Sequence, residues 1–293
     1  MSPWDAIEAA LRDALGQRFT LRAYTPVSGG SIHDAYCVTG SEQRFFVKMN
    51  RADCVDMFHA ETAGLAELGQ AHGLRVPRPI CYGVAGGRAY FVSEFIDLQP
   101  LRPDAMAQLG EALADMHGIT QTEFGWSRDN YIGSTRQRNT ANGSWLEFWR
   151  ENRLGHQLEL AAAQGAHELA RRGDELLTQL DSLIGGYQPE ASLLHGDLWG
   201  GNAGMDANGQ PVIFDPALYY GDREADLAMT ELFGGFSPVF FEAYNNVWPL
   251  PPEYRQYRRD LYQLYHLLNH HHLFGGHYGS EALRVINRLL AGL

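Results

Sequence analysis

The sequence predicts a two-lobed α+β fold, with a β-rich N-terminal lobe followed by a mainly helical C-terminal lobe. Short runs of β-branched and aromatic residues dominate the first third of the chain, whereas apolar residues at helical spacing dominate after Glu94. A chain of 293 residues is long enough for one such unit. We expect an N-terminal lobe over residues 1–96 and a C-terminal lobe over residues 97–293, joined by a hinge.

The N-terminal lobe is predicted to contain two helices and five strands. Apolar residues at helical spacing predict a first helix over residues 3–16, which ends at Gly16. A second amphipathic pattern over residues 53–72 begins at Asp53, a candidate N-cap, and stops before Gly73. Strand-like runs separated by turn residues cover residues 19–27, 35–39, 44–49, 80–84 and 88–95.

The C-terminal lobe is predicted to be helical around one short β-rich region. Amphipathic patterns predict helices over residues 104–117, 145–164, 167–184 and 252–293. Two strand-like runs, residues 191–194 and 211–214, stand between the last two of these patterns, with a hairpin turn at Asn208 and Gly209. The residues with the clearest chemical signature lie between and directly after these two runs.

Composition and charge exclude several functional classes. The formal net charge is −12, which disfavours binding to nucleic acids or to anionic membrane surfaces. Apolar runs of membrane-spanning length and a signal-peptide pattern are both absent from the sequence. The three cysteines show no metal-binding spacing and suit a reducing compartment. We expect a cytoplasmic monomer that binds neither nucleic acid nor membranes.

The run H-G-D-L-W-G-G-N over residues 195–202, followed by a strand and Asp215, has the spacing of a protein-kinase catalytic loop and its metal-binding aspartate. Asp197 is the candidate catalytic base that accepts the proton of the attacking hydroxyl. Asn202 and Asp215 offer the hard oxygen ligands that Mg²⁺ requires, and His195 is expected to support the loop. Turn residues near strands could produce any one of these matches, but their combination predicts an ATP-dependent kinase that uses Mg²⁺.

Lys48 and Glu61 are the candidates for the ion pair that orients the nucleotide phosphates in kinases. Lys48 ends a strand-like run of apolar residues, and Glu61 lies on the helix predicted to follow it. Taken alone, they could be a surface lysine and a solvated helical glutamate. Their order ahead of the catalytic loop favours the functional interpretation.

Two further segments are assigned to ATP by position. Residues 28–31, S-G-G-S, form a turn between two predicted strands, where glycines allow backbone N–H groups to approach phosphates. We expect Gly29, Gly30 and Ser31 to contact the phosphates, although the full G-x-G-x-x-G pattern is absent. The backbone of residues Glu94, Phe95 and Ile96 is expected to bind the adenine at the hinge.

Four histidines near the C-terminus, at positions 270–272 and 277, raise the alternative of a metal site. Three consecutive residues on a helix point in three directions and cannot all face one ion. The cluster therefore suits a polar, sugar-sized pocket better than a zinc site.

The loop over residues 195–202, with its W-G-G insert, closely resembles the signature of the fructosamine kinase family, also called ketosamine-3-kinases, which is related to aminoglycoside phosphotransferases. The segment Leu268, Asn269 and His270 resembles part of the family's C-terminal helix. Similar matches occur over residues 29–32, 58–61, 214–217, 220–221, 223–229, 233–236 and 264–275. The resemblance thus covers nearly the whole chain.

This resemblance implies a protein-kinase-like fold and ATP-dependent phosphorylation of the sugar 3-hydroxyl of ketosamines, such as fructosamines and ribulosamines, in the deglycation of proteins or amines. It implies a substrate site at Asp197, Trp199, Asn269 and His270. The aromatic face of Trp199, two residues after the candidate base, suits the apolar side of a sugar ring. The alternatives are a small-molecule kinase of the aminoglycoside, choline or homoserine type, and a nucleotide-binding protein without transferase activity.

Overall fold

The computed structural model describes residues 2–16, 19–27, 32–41 and 43–292. Its first helix, α1 (Pro3–Leu15), begins with a capping box. The hydroxyl oxygen of Ser2 accepts a hydrogen bond from the backbone N–H of Trp4, and the Asp5 carboxylate accepts one from the backbone N–H of Ser2. It ends at Gly16, whose φ of 61° is left-handed. The helix predicted over residues 3–16 is therefore confirmed.

The N-terminal lobe is built on a five-stranded antiparallel sheet with the strand order β1-β2-β3-β5-β4. The strands are β1 (Ala23–Pro26), β2 (Asp34–Thr39), β3 (Arg44–Arg51), β4 (Pro79–Ala85) and β5 (Arg88–Glu94). The first strand is shorter than predicted, and Phe19 lies ahead of it, buried with its ring edge-on to Phe45 at 5.5 Å. The central strand β3 has a neighbour on each side, so the residues it carries are held by two ladders of hydrogen bonds.

The helix between β3 and β4, α2 (Val55–Leu68), is shorter than predicted at both ends. Asp53 lies in a 3₁₀ turn, Ala52–Cys54, and forms an ion pair with Arg51 instead of capping the helix. At the other end the chain leaves the helix at Gly69, before the predicted stop at Gly73.

The C-terminal lobe is mainly helical. Its helices are α3 (Pro103–His117), α4 (Trp145–Phe148), α5 (His156–Ala163), α6 (His167–Thr178), α7 (Leu180–Ile184), α8 (Glu224–Leu232), α9 (Pro238–Val247), α10 (Arg259–Phe274) and α11 (Tyr278–Ala291). A π-helical segment, Trp149–Gly155, separates α4 from α5, where one continuous helix was predicted. Here Gly155 lies against the carbonyl of Arg150, since an added Cβ would be 2.5 Å from that oxygen.

The C-terminal lobe also contains short strands, which hold the loop over residues 195–202 on the side that faces the N-terminal lobe. They are β6 (Thr120–Gln121), β7 (Asn130–Ile132), β8 (Thr135–Gln137), β9 (Ala191–Leu194), β10 (Ala203–Met205), β11 (Pro211–Ile213) and β12 (Tyr219–Gly221). The run over residues 195–202 connects β9 to β10, and Asp215 follows β11 of the β10–β11 hairpin. Because Arg75, ahead of β4, bridges to Val212 in β11, this hairpin is tied to the N-terminal half of the chain.

The observed architecture confirms the predicted α+β fold, with the β-rich part first and the helical part second. A large core fills the helical part and includes Trp145, Phe148, Trp149 and Tyr262, whereas a smaller one lies between α1 and the sheet. Within the described ranges, none of the helices has the length and apolar character needed to cross a membrane.

Candidate active site

Lys48 joins the two parts of the structure. It projects from β3, and its Nζ lies 2.7 Å from Oε1 of Glu61 on α2 and 2.6 Å from Oδ1 of Asp215. Lys48 is 6% exposed. Burial disfavours its ammonium form, but Asp215 and Glu61 outweigh burial and raise the pKa of Lys48 above its usual value. The lysine is therefore a charged group held between two carboxylates.

The loop that follows β9 is held by one buried carboxylate, Asp226 on α8. Its Oδ2 accepts a hydrogen bond from the backbone N–H of His195 at 2.7 Å, and its Oδ1 accepts from that of Gly196 at 2.8 Å. His117 on α3 also lies 3.3 Å from Asp226. Hydrogen bonds to a charged acceptor are stronger than neutral ones, so Asp226 anchors the start of the loop to two helices.

His195 supports the same loop with both nitrogens of its ring. Nε2 donates to the carbonyl of Phe214 at 2.9 Å, and Nδ1 accepts from the backbone N–H of Asp197 at 3.2 Å. This pattern requires a neutral imidazole, in agreement with burial, which lowers the pKa of His195. His195 thereby connects the loop to the strand end that precedes Asp215.

Asp197 and Asn202 face each other across the loop. The amide nitrogen of Asn202 donates to the Asp197 carbonyl at 2.9 Å and approaches its carboxylate Oδ2 at 3.3 Å. Burial, followed by the charges of Asp215 and Asp226, raises the pKa of Asp197 to about 7. The carboxylate is thus a stronger base than a solvated aspartate.

Asp215 has an unusual backbone conformation, with a φ of 57°. It is the single non-glycine residue with a positive φ in the described part of the chain. Such conformations are uncommon for non-glycine residues, and they cluster at functional sites. This backbone places the carboxylate within reach of Lys48.

The oxygens of Asn202 and Asp215 fit a magnesium ion. Because the Asn202 nitrogen is turned toward Asp197, its carbonyl oxygen is the atom that Asn202 can offer to a cation. Mg²⁺ is commonly held by one or two protein oxygens, with phosphates and water completing its octahedron. The described residues contain no group of three or more histidine, cysteine, aspartate or glutamate side chains arranged around a metal position, the C-terminal histidines included.

Close packing explains why two glycines follow Trp199 in the loop. Gly200 packs against the backbone of Gly234 and Gly235, and a Cβ at Gly235 would be 2.8 Å from the Cα of Gly200. Gly201 lies against the Trp199 ring, since its Cβ would be 2.3 Å from the ring atoms. Two glycine segments therefore cross at a distance that side chains would prevent.

Trp199 remains 40% exposed beside this crossing. Its ring is edge-on to Phe233 at 6.5 Å, and Phe233 in turn lies 4.6 Å from the ring of His270. His270 donates from Nδ1 to the carbonyl of His266. The structure thus brings Trp199 and His270 into one aromatic group, with Phe233 between them, although sequence analysis assigned no role to Phe233.

Asn269 is placed differently from the other predicted substrate residues. It is 1% exposed, and its amide oxygen accepts a hydrogen bond of 3.4 Å from Gln157. Direct contact between Asn269 and a substrate would therefore require this buried side chain to become accessible. Its placement suits a role in supporting the helix that carries His270.

The predicted adenine segment follows β5. The Glu94 carboxylate pairs with Arg75, whose guanidinium also contacts Asp206 at 2.5 Å. Phe95 lies beneath the guanidinium of Arg44 at 4.6 Å, and Ile96 is half-buried. Gly29, Gly30 and Ser31 lie outside the described residues, so their predicted contacts with phosphate have no structural counterpart here.

Asp226 is the main site residue that sequence analysis missed. It lies in the segment over residues 223–229, which supported the family resemblance but received no individual role. Its partners in the loop are about thirty residues away in sequence, at His195 and Gly196. The sequence offers little signal, because Asp226 is one of several charged residues at the start of this helix and nothing local marks it as buried.

Comparison with known proteins gives a consistent result. The family model described as fructosamine kinase matches residues 3–292. A "probable ketoamine kinase" of Synechocystis sp. is 42% identical over 290 residues, covering 99% of this chain and 97% of that protein. The chloroplastic protein-ribulosamine 3-kinase of Arabidopsis thaliana is 43% identical over 268 residues, covering 90% of this chain and 81% of that protein.

Solved structures agree with these matches. A Haemophilus somnus protein provisionally assigned as a fructosamine-3-kinase has a TM-score of 0.90 at 27% identity, covering 98% of this chain and 97% of that one. A thermostable mutant of an aminoglycoside phosphotransferase has a TM-score of 0.62 at 18% identity, and the match covers 98% of this chain and 100% of that one. At that identity the match supports the kinase-like fold alone. With a family model spanning nearly every residue, the chain belongs to the fructosamine kinase family.

Proposed function

We propose that this protein is an ATP-dependent ketosamine 3-kinase, which phosphorylates the 3-hydroxyl of sugars attached to amines as fructosamines or ribulosamines. The observation that carries the proposal is the convergence of Lys48, Asp197, Asn202 and Asp215 from separate segments on one site. Relatives named ketoamine kinase and protein-ribulosamine 3-kinase support this choice of substrate. Such an activity would serve the deglycation of proteins or free amines.

In the proposed reaction, the sugar 3-hydroxyl oxygen forms a bond to the terminal phosphorus of ATP. The bond between that phosphorus and the bridging oxygen of ADP breaks, and the hydroxyl proton passes to Asp197. The raised pKa of Asp197 favours proton acceptance from a hydroxyl that is becoming acidic in the transition state. Catalysis then depends mainly on positioning and on stabilisation of the phosphoryl charge.

The nucleotide is assigned to the cleft between the two lobes, with residues 1–96 as the ATP-binding lobe and residues 97–293 as the catalytic and substrate lobe. In support, β5 ends at Glu94 and the first helix of the second part begins at Pro103. Lys48 would bind the phosphates, held by Glu61. Asn202 and Asp215 would hold Mg²⁺, which supplies positive charge to the phosphates, and the backbone of Glu94, Phe95 and Ile96 would pair with adenine.

The sugar is assigned to the surface beside Asp197. Trp199 offers an exposed aromatic face there, and Phe233 and His270 continue it. Aromatic faces pack well against the apolar side of sugar rings, while the imidazole adds a polar group. Asn269 is buried beneath this surface, and its hydrogen bond with Gln157 would hold α10, which carries His270, in position.

The proposal is tested by ATP consumption with purified protein and Mg²⁺ against ribulose-lysine and fructose-lysine, with an aminoglycoside and choline as controls. We expect turnover with a ketosamine, and a loss on the order of a hundredfold or more in Asp197→Asn. Nuclear magnetic resonance of the product should place the phosphate on the 3-oxygen. Turnover with only a control substrate, or equal turnover by Asp197→Asn, would refute the assignment.

We also propose that the enzyme is a cytoplasmic monomer that does not bind nucleic acid. The net charge of −12 supports the absence of nucleic-acid binding, because a strongly acidic chain repels a polyanion. Light scattering coupled to size exclusion tests the monomer directly.

A further inference from the structure

His33 is a half-buried residue near the phosphate-binding lysine, and the proposed mechanism leaves it without a role. In the β2–β3 ladder, Ala35 pairs with Lys48 and Asp34 pairs with Met49. Continuing this register places His33 opposite Asn50. Because side chains alternate between the two faces of a sheet, His33 and Asn50 share the face from which Lys48 reaches Glu61.

Contacts agree with this placement. The His33 ring lies 5.0 Å from the ring of Phe58, a buried residue of α2 one turn before Glu61. His33 therefore stands between the sheet and the helix that holds the lysine. Through its contact with Asn50, two residues after Lys48 on the same strand, it lies on the side of the sheet where Lys48 would bind the phosphates of a nucleotide.

Asn50 determines which nitrogen of His33 carries the proton. The Asn50 amide nitrogen donates to the carbonyl of Ile32 at 3.1 Å, and its amide oxygen accepts from the backbone N–H of Arg51 at 2.8 Å. Both contacts give the amide the same orientation. The nitrogen, 2.8 Å from Nδ1 of His33, must donate to it, so Nδ1 is an acceptor and the proton of the neutral ring is on Nε2.

The electrostatic surroundings favour that neutral ring. Burial, followed by the charge of Lys48, lowers the pKa of His33 to about 4, although Asp215 and Asp34 act in the opposite direction. A neutral imidazole can approach the lysine without charge repulsion. It still offers one N–H donor, which an anionic ligand accepts well.

We propose that the Nε2–H of His33 donates a hydrogen bond to the phosphates of the bound nucleotide, in an orientation that Asn50 maintains. The proposal rests on the nucleotide assignment above but not on the identity of the sugar. His33 would share with Lys48 the task of positioning the phosphates, and Asn50 would be a positioning residue for His33.

The test measures the binding of ATP, ADP, AMP and adenosine to the purified full chain in the presence of Mg²⁺, without any acceptor. For His33→Phe we expect ATP to bind more weakly, on the order of tenfold or more, because a hydrogen bond to a charged group is lost. Adenosine should bind as it does to the wild type. His33→Gln can return an N–H donor near the position of Nε2, and we expect it to recover part of the ATP affinity.

A matched control is His59→Phe, since His59 is exposed on the same lobe and stacks on Tyr82 at 5.1 Å. It should leave the whole nucleotide series unchanged. Equal weakening of ATP and adenosine by His33→Phe, or no weakening of either, would overturn the proposal, because the first outcome indicates a structural role and the second none.

A second measurement tests the proposal on the wild type itself, and a variant enters only as an additional check on Asn50. In the ¹⁵N-labelled wild type, the His33 ring should show the Nε2–H tautomer, and its Nε2–H signal should shift when a non-hydrolysable ATP analogue is added but not with adenosine. Asn50→Ala should mix the two tautomers. An Nδ1–H ring, or a signal unaffected by the analogue, refutes the proposal. Failure of every ketosamine as substrate would contradict the proposed function while leaving these binding results intact.

Discussion

Replacement of Asp226 by asparagine tests whether one buried carboxylate holds the catalytic loop. Asp226 is 1% exposed, and each of its two oxygens accepts from one backbone N–H, those of His195 and Gly196. Asparagine keeps the shape of the side chain but replaces one oxygen with an NH₂ group. Whichever way the amide turns, one backbone N–H then faces another donor.

The magnitude follows from these two contacts. A buried donor left without a partner costs about 1–3 kcal/mol, and the remaining bond loses its charge assistance, which is worth about 1 kcal/mol. We therefore expect Asp226→Asn to lower the free energy of unfolding by about 2–4 kcal/mol. The turnover number should fall as well, because the loop that carries Asp197 is no longer fixed, whereas ATP affinity should change little since Lys48 is untouched.

Urea unfolding followed by circular dichroism measures the first effect, and ATP consumption with a ketosamine measures the second. Asp104→Asn is a suitable control, since Asp104 is an exposed acid on α3 that pairs only with Arg102 among the described residues. It should match the wild type in both assays. If Asp226→Asn retained wild-type stability and turnover, Asp226 could not be the anchor of this loop.

Three further predictions address the glycine crossing, the lysine pair and the metal. Gly235→Ala should lower both the free energy of unfolding and the turnover number, because its Cβ would be 2.8 Å from the Cα of Gly200. Gly234 has a similar positive φ but open space around it, so Gly234→Ala should lower stability less in urea unfolding, and equal losses would contradict the crossing as the cause. Glu61→Gln should raise the KM for ATP on the order of tenfold, since Lys48 loses a charged partner and is left to Asp215, and an unchanged KM in steady-state assays would argue against Glu61 as its orienting group. Removal of magnesium by a chelator should abolish ATP consumption reversibly. It should leave the thermal unfolding midpoint of the nucleotide-free protein unchanged, because two protein oxygens need phosphates to complete the coordination of Mg²⁺. A lower midpoint would instead indicate a structural metal.

The catalytic loop could be predicted from sequence because its residues are close together along the chain. Asp197, Asn202 and Asp215 lie within one strand–loop–hairpin unit, so their spacing alone restricts their arrangement. Lys48 and Glu61 were predictable for a similar reason, since a strand and the next helix carry them. Their roles as catalytic groups and ligands remain proposals, to be tested by the variants described above.

Other features depended on residues that are far apart in sequence. The contact of Asp226 with the loop and the crossing of Gly200 over Gly235 join separate segments, and no local pattern indicates either. The burial of Asn269 was equally hidden, because helical periodicity shows which residues share a face but not what covers that face.

By itself the sequence determined the α+β order of the fold, the family and the candidate chemistry, because propensity, turn residues and motif spacing are local properties. The tertiary structure alone decided which other groups meet: the carboxylate of Asp215 on Lys48, the aspartate beneath the loop, and the amide that orients His33. Those contacts depend on the packing of distant elements, whose geometry arises only when the whole chain buries its apolar surface.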